Sequence, residues 1–237
     1  MEELLAVLCT VGFVAAALAV YPYTATAIAF RGSDNGLAYI LLVMGVGVWN
    51  AMFAAQLLDA DPTVKGFFLT LSIVGASLAG LGWFLFAGTA SSTIAVSHQR
   101  LAYGLAALFA GVNISLVMTN PAHGSYWSLV SDAGASPFVA IDPEPLYWFN
   151  ALFLIVLFGA GTALFAEAWR AGVNPSYSRG YTIAGTVTVV TILGNAVVAP
   201  GSLSVAPLAA ASLTTIGWLQ ARRGRAFETV RKRLGWA

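Results

Sequence analysis

The run Thr119-Asn120-Pro121-Ala122-His123-Gly124-Ser125-Tyr126-Trp127 gathers a carboxamide, a proline, a histidine and two aromatic rings where a long apolar segment ends. It opens the one sizeable loop of the chain, Asn120 to Pro145, which also carries Asp132, Asp142 and Glu144 and has no Lys or Arg. Tyr147 and Trp148 follow at once. A histidine facing acids is suited to sensing protons or cations, and Trp and Tyr at such a boundary serve either as interfacial anchors or as a ligand cage. Further chemistry lies inside the apolar runs, where Asn50, Gln56, Asn113, Asn150 and Asn195 supply uncharged amides. Amides surrounded by hydrocarbon usually pair across helices. Gln56, Asn113, Asn150 and Asn195 fall toward the ends of their segments nearest the large loop, so they are placed to converge beneath it. The candidate ligand-binding set is therefore Asn113, Asn120, His123, Trp127, Tyr147, Trp148, Asn150 and Asn195.

Catalysis has little support. The acids, Glu2, Glu3, Asp34, Asp59, Asp61, Asp132, Asp142, Glu144, Glu167 and Glu228, fall near segment ends or in loops, which disfavours proton pumping through buried carboxylates. A covalent retinal needs a lysine in the last apolar segment, and that segment has none. A bis-histidine haem fails because His98 and His123 sit at opposite ends of one helix, more than ~30 Å apart at about 1.5 Å per residue. Asn120-Pro121-Ala122 matches the tripeptide of water channels, but those need two copies in inverted repeats. Asn174-Pro175-Ser176, the one other candidate, lies in the next loop on the opposite side. Cys9 is alone. No cofactor, metal or nucleic-acid partner is expected.

The elements that must position these residues follow from composition. A chain of 237 residues that is 59% hydrophobic and 9% charged cannot bury its apolar surface in one soluble core. Its long uncharged runs match the roughly 30 Å hydrocarbon layer as helices, the form in which each segment satisfies its own backbone. We read seven: Leu4 to Phe30, Leu37 to Leu58, Val64 to Gly88, Leu101 to Thr119, Leu146 to about Trp169, Arg179 to Ala199, and Ser202 to Gln220. Pro22 should kink the first. Gly75/Ala79 and Ala76/Gly80 in the third should let a neighbour approach closely. Pro200-Gly201 makes a reversal before the last.

Of the 11 Lys and Arg residues, all but Lys65 fall on the side reached after helices one, three, five and seven. Positive charge is retained in the cytoplasm, so the expected architecture is an all-α, seven-transmembrane bundle with the N-terminus outside and the C-terminus cytoplasmic. The expected organisation is a membrane domain over residues 1–221 and a basic juxtamembrane tail over 222–237, the latter lying on the anionic leaflet or contacting an output partner.

Arg31, Trp49, Thr119-Asn120-Pro121-x-His123 with Trp127, Tyr147-Trp148, Asn195 and the Pro200 reversal together resemble the seven-transmembrane N-terminal sensor region of archaeal and bacterial histidine kinases, over roughly Leu4 to Leu219. The resemblance implies a non-catalytic receptor in the cell membrane that detects a small ligand, ion or membrane stimulus. It further implies signalling to a cytoplasmic kinase or response-regulator-type partner. A second copy of the chain is a further candidate partner. The chain reaches Ala237 without a phosphoacceptor helix or ATP-binding glycine boxes, so it is expected to be either an excised sensor or a protein acting through a separate partner. The alternative from another class is a small transporter or lipid-handling protein, which predicts a continuous path or lateral opening. A structural subunit would instead be packed solid.

Overall fold

A computed structural model describes residues 2–29, 35–91, 96–130, 141–198 and 204–223. Its helices are α1 (Glu2–Ala29), α2 (Gly36–Leu58), α3 (Pro62–Ser91), α4 (Val96–Met118), the single turn α5 (Asn120–His123), α6 (Pro145–Arg170), α7 (Pro175–Val198) and α8 (Ala206–Arg223). Two short antiparallel strands, β1 (Trp127–Leu129) and β2 (Ile141–Pro143), pair Trp127 with Pro143 and Leu129 with Ile141. Arg31, Asp34, Asp132, the Pro200-Gly201 reversal, the tail beyond Arg223 and the side chain of His98 lie outside the described residues.

Three of the long helices, α3, α6 and α7, begin on proline, at the position where a missing N–H removes no intrahelical bond. This moves the start of α7 ahead of Arg179, the expected first residue. The guanidinium instead sits 5.8 Å from the centre of the Trp169 ring, tying the ends of α6 and α7 together. Helix α1 continues through Pro22, whose carbonyl accepts the Thr26 hydroxyl at 3.1 Å. Threonines elsewhere do the same, as in Thr70 to Gly66, Thr162 to Phe158 and Thr188 to Ala184, so hydroxyls scattered through apolar helices need no distant partner.

Among the described residues, six helices are long and apolar enough to cross a membrane, namely α1, α2, α3, α4, α6 and α7. Large side chains such as Leu105, Leu108, Leu152, Val156, Val187 and Val190 face outward around them, an arrangement suited to lipid. The protein is a multi-pass membrane protein. Helix α8 has 18 residues that include Gln220, Arg222 and Arg223, and it packs along α1, α2 and α7.

Helices α1, α2, α3, α6, α7 and α8 close into a ring, each packed on the next and α8 returning to α1. Helix α4 rests mainly on α3, outside that ring. The tightest seam is α2–α3, where glycines let the two backbones touch: a Cβ on Gly75 would lie 2.5 Å from the backbone nitrogen of Trp49. Toward the end away from the β1–β2 hairpin, aromatic rings fill the ring of helices. Phe165 stacks on Tyr181 with centroids 4.4 Å apart, Trp83 lies 5.0 Å from Phe165, and the Trp83 indole donates to the Phe158 carbonyl at 3.1 Å. Lys65 lies in the first turn of α3 and is buried.

Candidate functional site

The site is built from the turn that ends α4. Gly124 adopts φ 61°, a left-handed value natural to glycine, and reverses the chain. Asn120 then binds the returning segment as a strand would. Its Oδ1 accepts the Tyr126 N–H at 2.8 Å and its Nδ2 donates to the Trp127 carbonyl at 3.1 Å. These bonds and the β1–β2 pairing press Tyr126 and Trp127 into a cluster with Leu69, Ile73, Val117, Ile141 and Tyr147.

Tyr126 is fully buried, and its hydroxyl donates to Asn113 Oδ1 at 2.5 Å. Burial pushes that hydroxyl up to about 12, so it stays a neutral donor under ordinary conditions. The other half of the Asn113 amide donates to Ser77 Oγ and to Asn150 Oδ1, both at 2.9 Å. Asn113 is thus a hub joining the hairpin, α3, α4 and α6.

Asn150 faces a cavity of about 60 Å³ at the hairpin end of the bundle. Its walls are Trp49 and Phe53 from α2, Leu69, Ser72, Ile73 and Ala76 from α3, Tyr147, Asn150, Ala151 and Leu154 from α6, Ile192, Asn195 and Ala196 from α7, and Ser204 and Ala206 at the start of α8. Among the described residues, no Lys, Arg, His, Asp or Glu lines it. The Asn195 Oδ1 is buried with no hydrogen-bond partner among the described residues, an arrangement that costs about 1–3 kcal/mol when nothing pairs with it. Asn150 Oδ1 is taken by Asn113, and its Nδ2 has no acceptor among the described residues.

The eight sequence candidates therefore separate. Tyr147, Asn150 and Asn195 line the cavity together. Asn113, Asn120 and Trp127 stand behind it as the scaffold that fixes Asn150 and the hairpin. Trp148 is 45% exposed on the outer surface of α6, its ring edge-on to Tyr147. His123 is also exposed. Its Nδ1 accepts the Ser125 N–H at 3.0 Å and its Nε2 lies 3.1 Å from the Leu116 carbonyl, so the neutral ring with hydrogen on Nε2 satisfies both contacts. Among the described residues its hydrogen-bond partners are backbone groups and Thr119. Gln56, expected to converge with the other amides, is buried in α2 but is not part of the cavity wall.

Sequence reasoning passed over Trp49, Phe53, Ser72 and Ser204 as site residues. A signal for Ser72 is present in the sequence. Residues 69, 72, 73 and 76 of α3, 147, 150, 151 and 154 of α6, and 192, 195 and 196 of α7 repeat one helical-face spacing, each centred on a single polar residue. Ser204 precedes α8 and carries no such periodic mark.

A search of curated proteins returned no match to the chain. The profile of the family described as the N-terminal 7TM region of histidine kinase matches residues 4–230. With an all-helical bundle of apolar spans beneath that match, the chain belongs to the family of seven-transmembrane N-terminal regions of histidine kinases, a sensor-associated and non-catalytic class of membrane domain.

Proposed function

We propose that the chain is a seven-span sensor whose ligand enters the cavity between α2, α3, α6, α7 and α8 from outside the cell, and whose output leaves through α8. The single observation that carries this reading is Asn195, an unpaired buried carbonyl in a cavity that also borders Ser204 and Ala206 at the start of α8. Arg100, Arg170 and Arg179 stand at the end of the bundle away from the hairpin. That distribution favours the hairpin facing outward, the N-terminus outside and the C-terminus in the cytoplasm. Residues 1–221 then form the sensor, and 222–237 the basic segment that meets a kinase-type partner. His123 and Trp148 stand exposed outside the cavity, and Trp127 belongs to the hairpin cluster that backs it.

Helix α8 is suited to carry the signal because it joins the cavity wall to the far end of the bundle: Ala206, Ala210 and Leu213 seat it in the core, and side-chain hydrogen bonds from α2 and α7 fix its position. Tyr39 donates to the Thr214 carbonyl at 2.8 Å, Tyr181 donates to Gln220 Oε1 at 3.0 Å, and Asn50 donates to the Pro207 carbonyl at 3.0 Å. A ligand that binds one position of α8 better than another shifts the balance between them by that difference in affinity. The transporter reading has one observation in its favour, a lateral apolar groove of about 350 Å³ between α4 and α6. Gly80 packed against Leu154, Leu157 and Phe158 separates groove from cavity, and the Trp83–Phe165–Tyr181 cluster fills the bundle beyond it, which argues against a through-path.

Thermal-shift screening of small ligands tests the reading. A hit should lose its shift in Asn195→Ala and keep it in His123→Ala. Hits indifferent to Asn195→Ala, or solute flux in reconstituted vesicles, would count against it.

A further inference from the structure

We infer that the cavity takes a small uncharged ligand bearing a carboxamide or urea group, an inference that rests on the cavity being the sensing site. Three observations converge on this chemistry. Among the described residues, the wall offers one buried acceptor without a donor, Asn195 Oδ1, and the Asn150 amide, whose Oδ1 is taken by Asn113, has no acceptor for its Nδ2. A carboxamide answers both, its carbonyl accepting from Asn150 and its N–H donating to Asn195, as one amide pairs with another. Ser72 donates its hydrogen to the Leu69 carbonyl at 2.7 Å, and Ser204 accepts the Ala206 N–H at 3.3 Å.

Charge is the second discriminator. Among the described residues no ionisable side chain lines the cavity, so a carboxylate or a cation entering it would lose its hydration and gain no counter-charge from them. Size is the third. A volume of about 60 Å³ holds about four to six water-sized groups, enough to seat acetamide or urea.

The test titrates the whole chain, labelled with ¹⁵N-asparagine in lipid nanodiscs, with acetamide against acetate and with urea against guanidinium at millimolar concentrations. Each pair matches in shape and differs in charge. The side-chain amide signals of Asn150 and Asn195 should shift saturably with acetamide and urea, and at least tenfold more weakly with acetate and guanidinium. Asn195→Leu should weaken acetamide at least tenfold while the Asn113 amide signal stays in place. The neutral-against-charged comparison uses the unaltered chain, so it stands even if that variant fails to fold. Charged ligands binding as well as their neutral partners, ethylene glycol binding more tightly than acetamide, or an unchanged acetamide affinity in Asn195→Leu would overturn the ligand class while leaving the cavity as a sensing site. Unmoved Asn150 and Asn195 signals across the whole series would instead remove the cavity reading itself.

Discussion

Gly75→Val is expected to leave little folded protein. The new Cβ would stand 2.5 Å from the Trp49 nitrogen and 2.9 Å from its Cα, and both are backbone atoms that cannot rotate away. Ordinary overpacking costs about 1–3 kcal/mol because side chains give way; a backbone-to-backbone clash at the most extensive helix seam should exceed that range. Gly45 and Gly82 meet the backbones of Ala79 and Leu42 in the same seam and should behave alike. Gly111→Ala and Gly194→Ala are the controls, since nothing lies within 4 Å of a Cβ at either position. Each should be neutral or stabilise by up to about 1 kcal/mol through helix propensity. Monodispersity after extraction and unfolding in mixed micelles would measure both classes. Equal tolerance of valine at Gly75 and alanine at Gly111 would refute the seam.

Asn113→Leu should be the second most damaging change, and Asn195→Leu should have the opposite sign. Removing Asn113 strips a donor from Ser77 and from Asn150 Oδ1, and the near partner from the Tyr126 hydroxyl. Interhelical bonds in membranes average about 0.6 kcal/mol, but groups left buried and unpaired add to that, so a loss of about 2–4 kcal/mol is expected. The hairpin should loosen with it, read as faster hydrogen exchange at the Tyr126 amide. Asn195 has a buried carbonyl with no partner among the described residues, so leucine there should leave stability unchanged or raise it while abolishing the response to ligand. Stability forgone for function at Asn195, and gained through scaffolding at Asn113, is the contrast to look for.

The long helices were legible because hydrocarbon thickness and the charge-free runs set their lengths; α2 begins at Gly36 and ends at Leu58, within a residue of its expected bounds. The close approach expected at Gly75 was legible from small-residue spacing alone. That Asn150 and Asn195 lie at a similar depth and border one cavity was legible because position along a helix gives depth in the bundle. Asn113 and Asn120 were assigned to the ligand because a single sequence does not say which helices are neighbours. That α4 sits outside the ring, and that its amide therefore points at Asn150 and Tyr126 and not into the cavity, is a property of the packing. The β1–β2 pair was hidden for a related reason: three-residue strands are too short for a period-two pattern to register. For His123, a polar type in a loop suggested a switch, whereas its ring nitrogens serve the Ser125 N–H and the Leu116 carbonyl of its own turn.

The orientation of the bundle and the access to its cavity can be read together by thiol labelling of intact cells. In a Cys9→Ser background, single cysteines replace Asp61 in the exposed α2–α3 connection, Ser204 in the cavity wall and Arg222 at the far end of α8. A small membrane-impermeant reagent added outside should modify Asp61→Cys and Ser204→Cys, with Arg222→Cys reacting only once the cells are opened. Modification of Asp61→Cys and Arg222→Cys from the same side, or a Ser204→Cys reached only from the cytoplasm, would contradict an outward-facing sensing cavity.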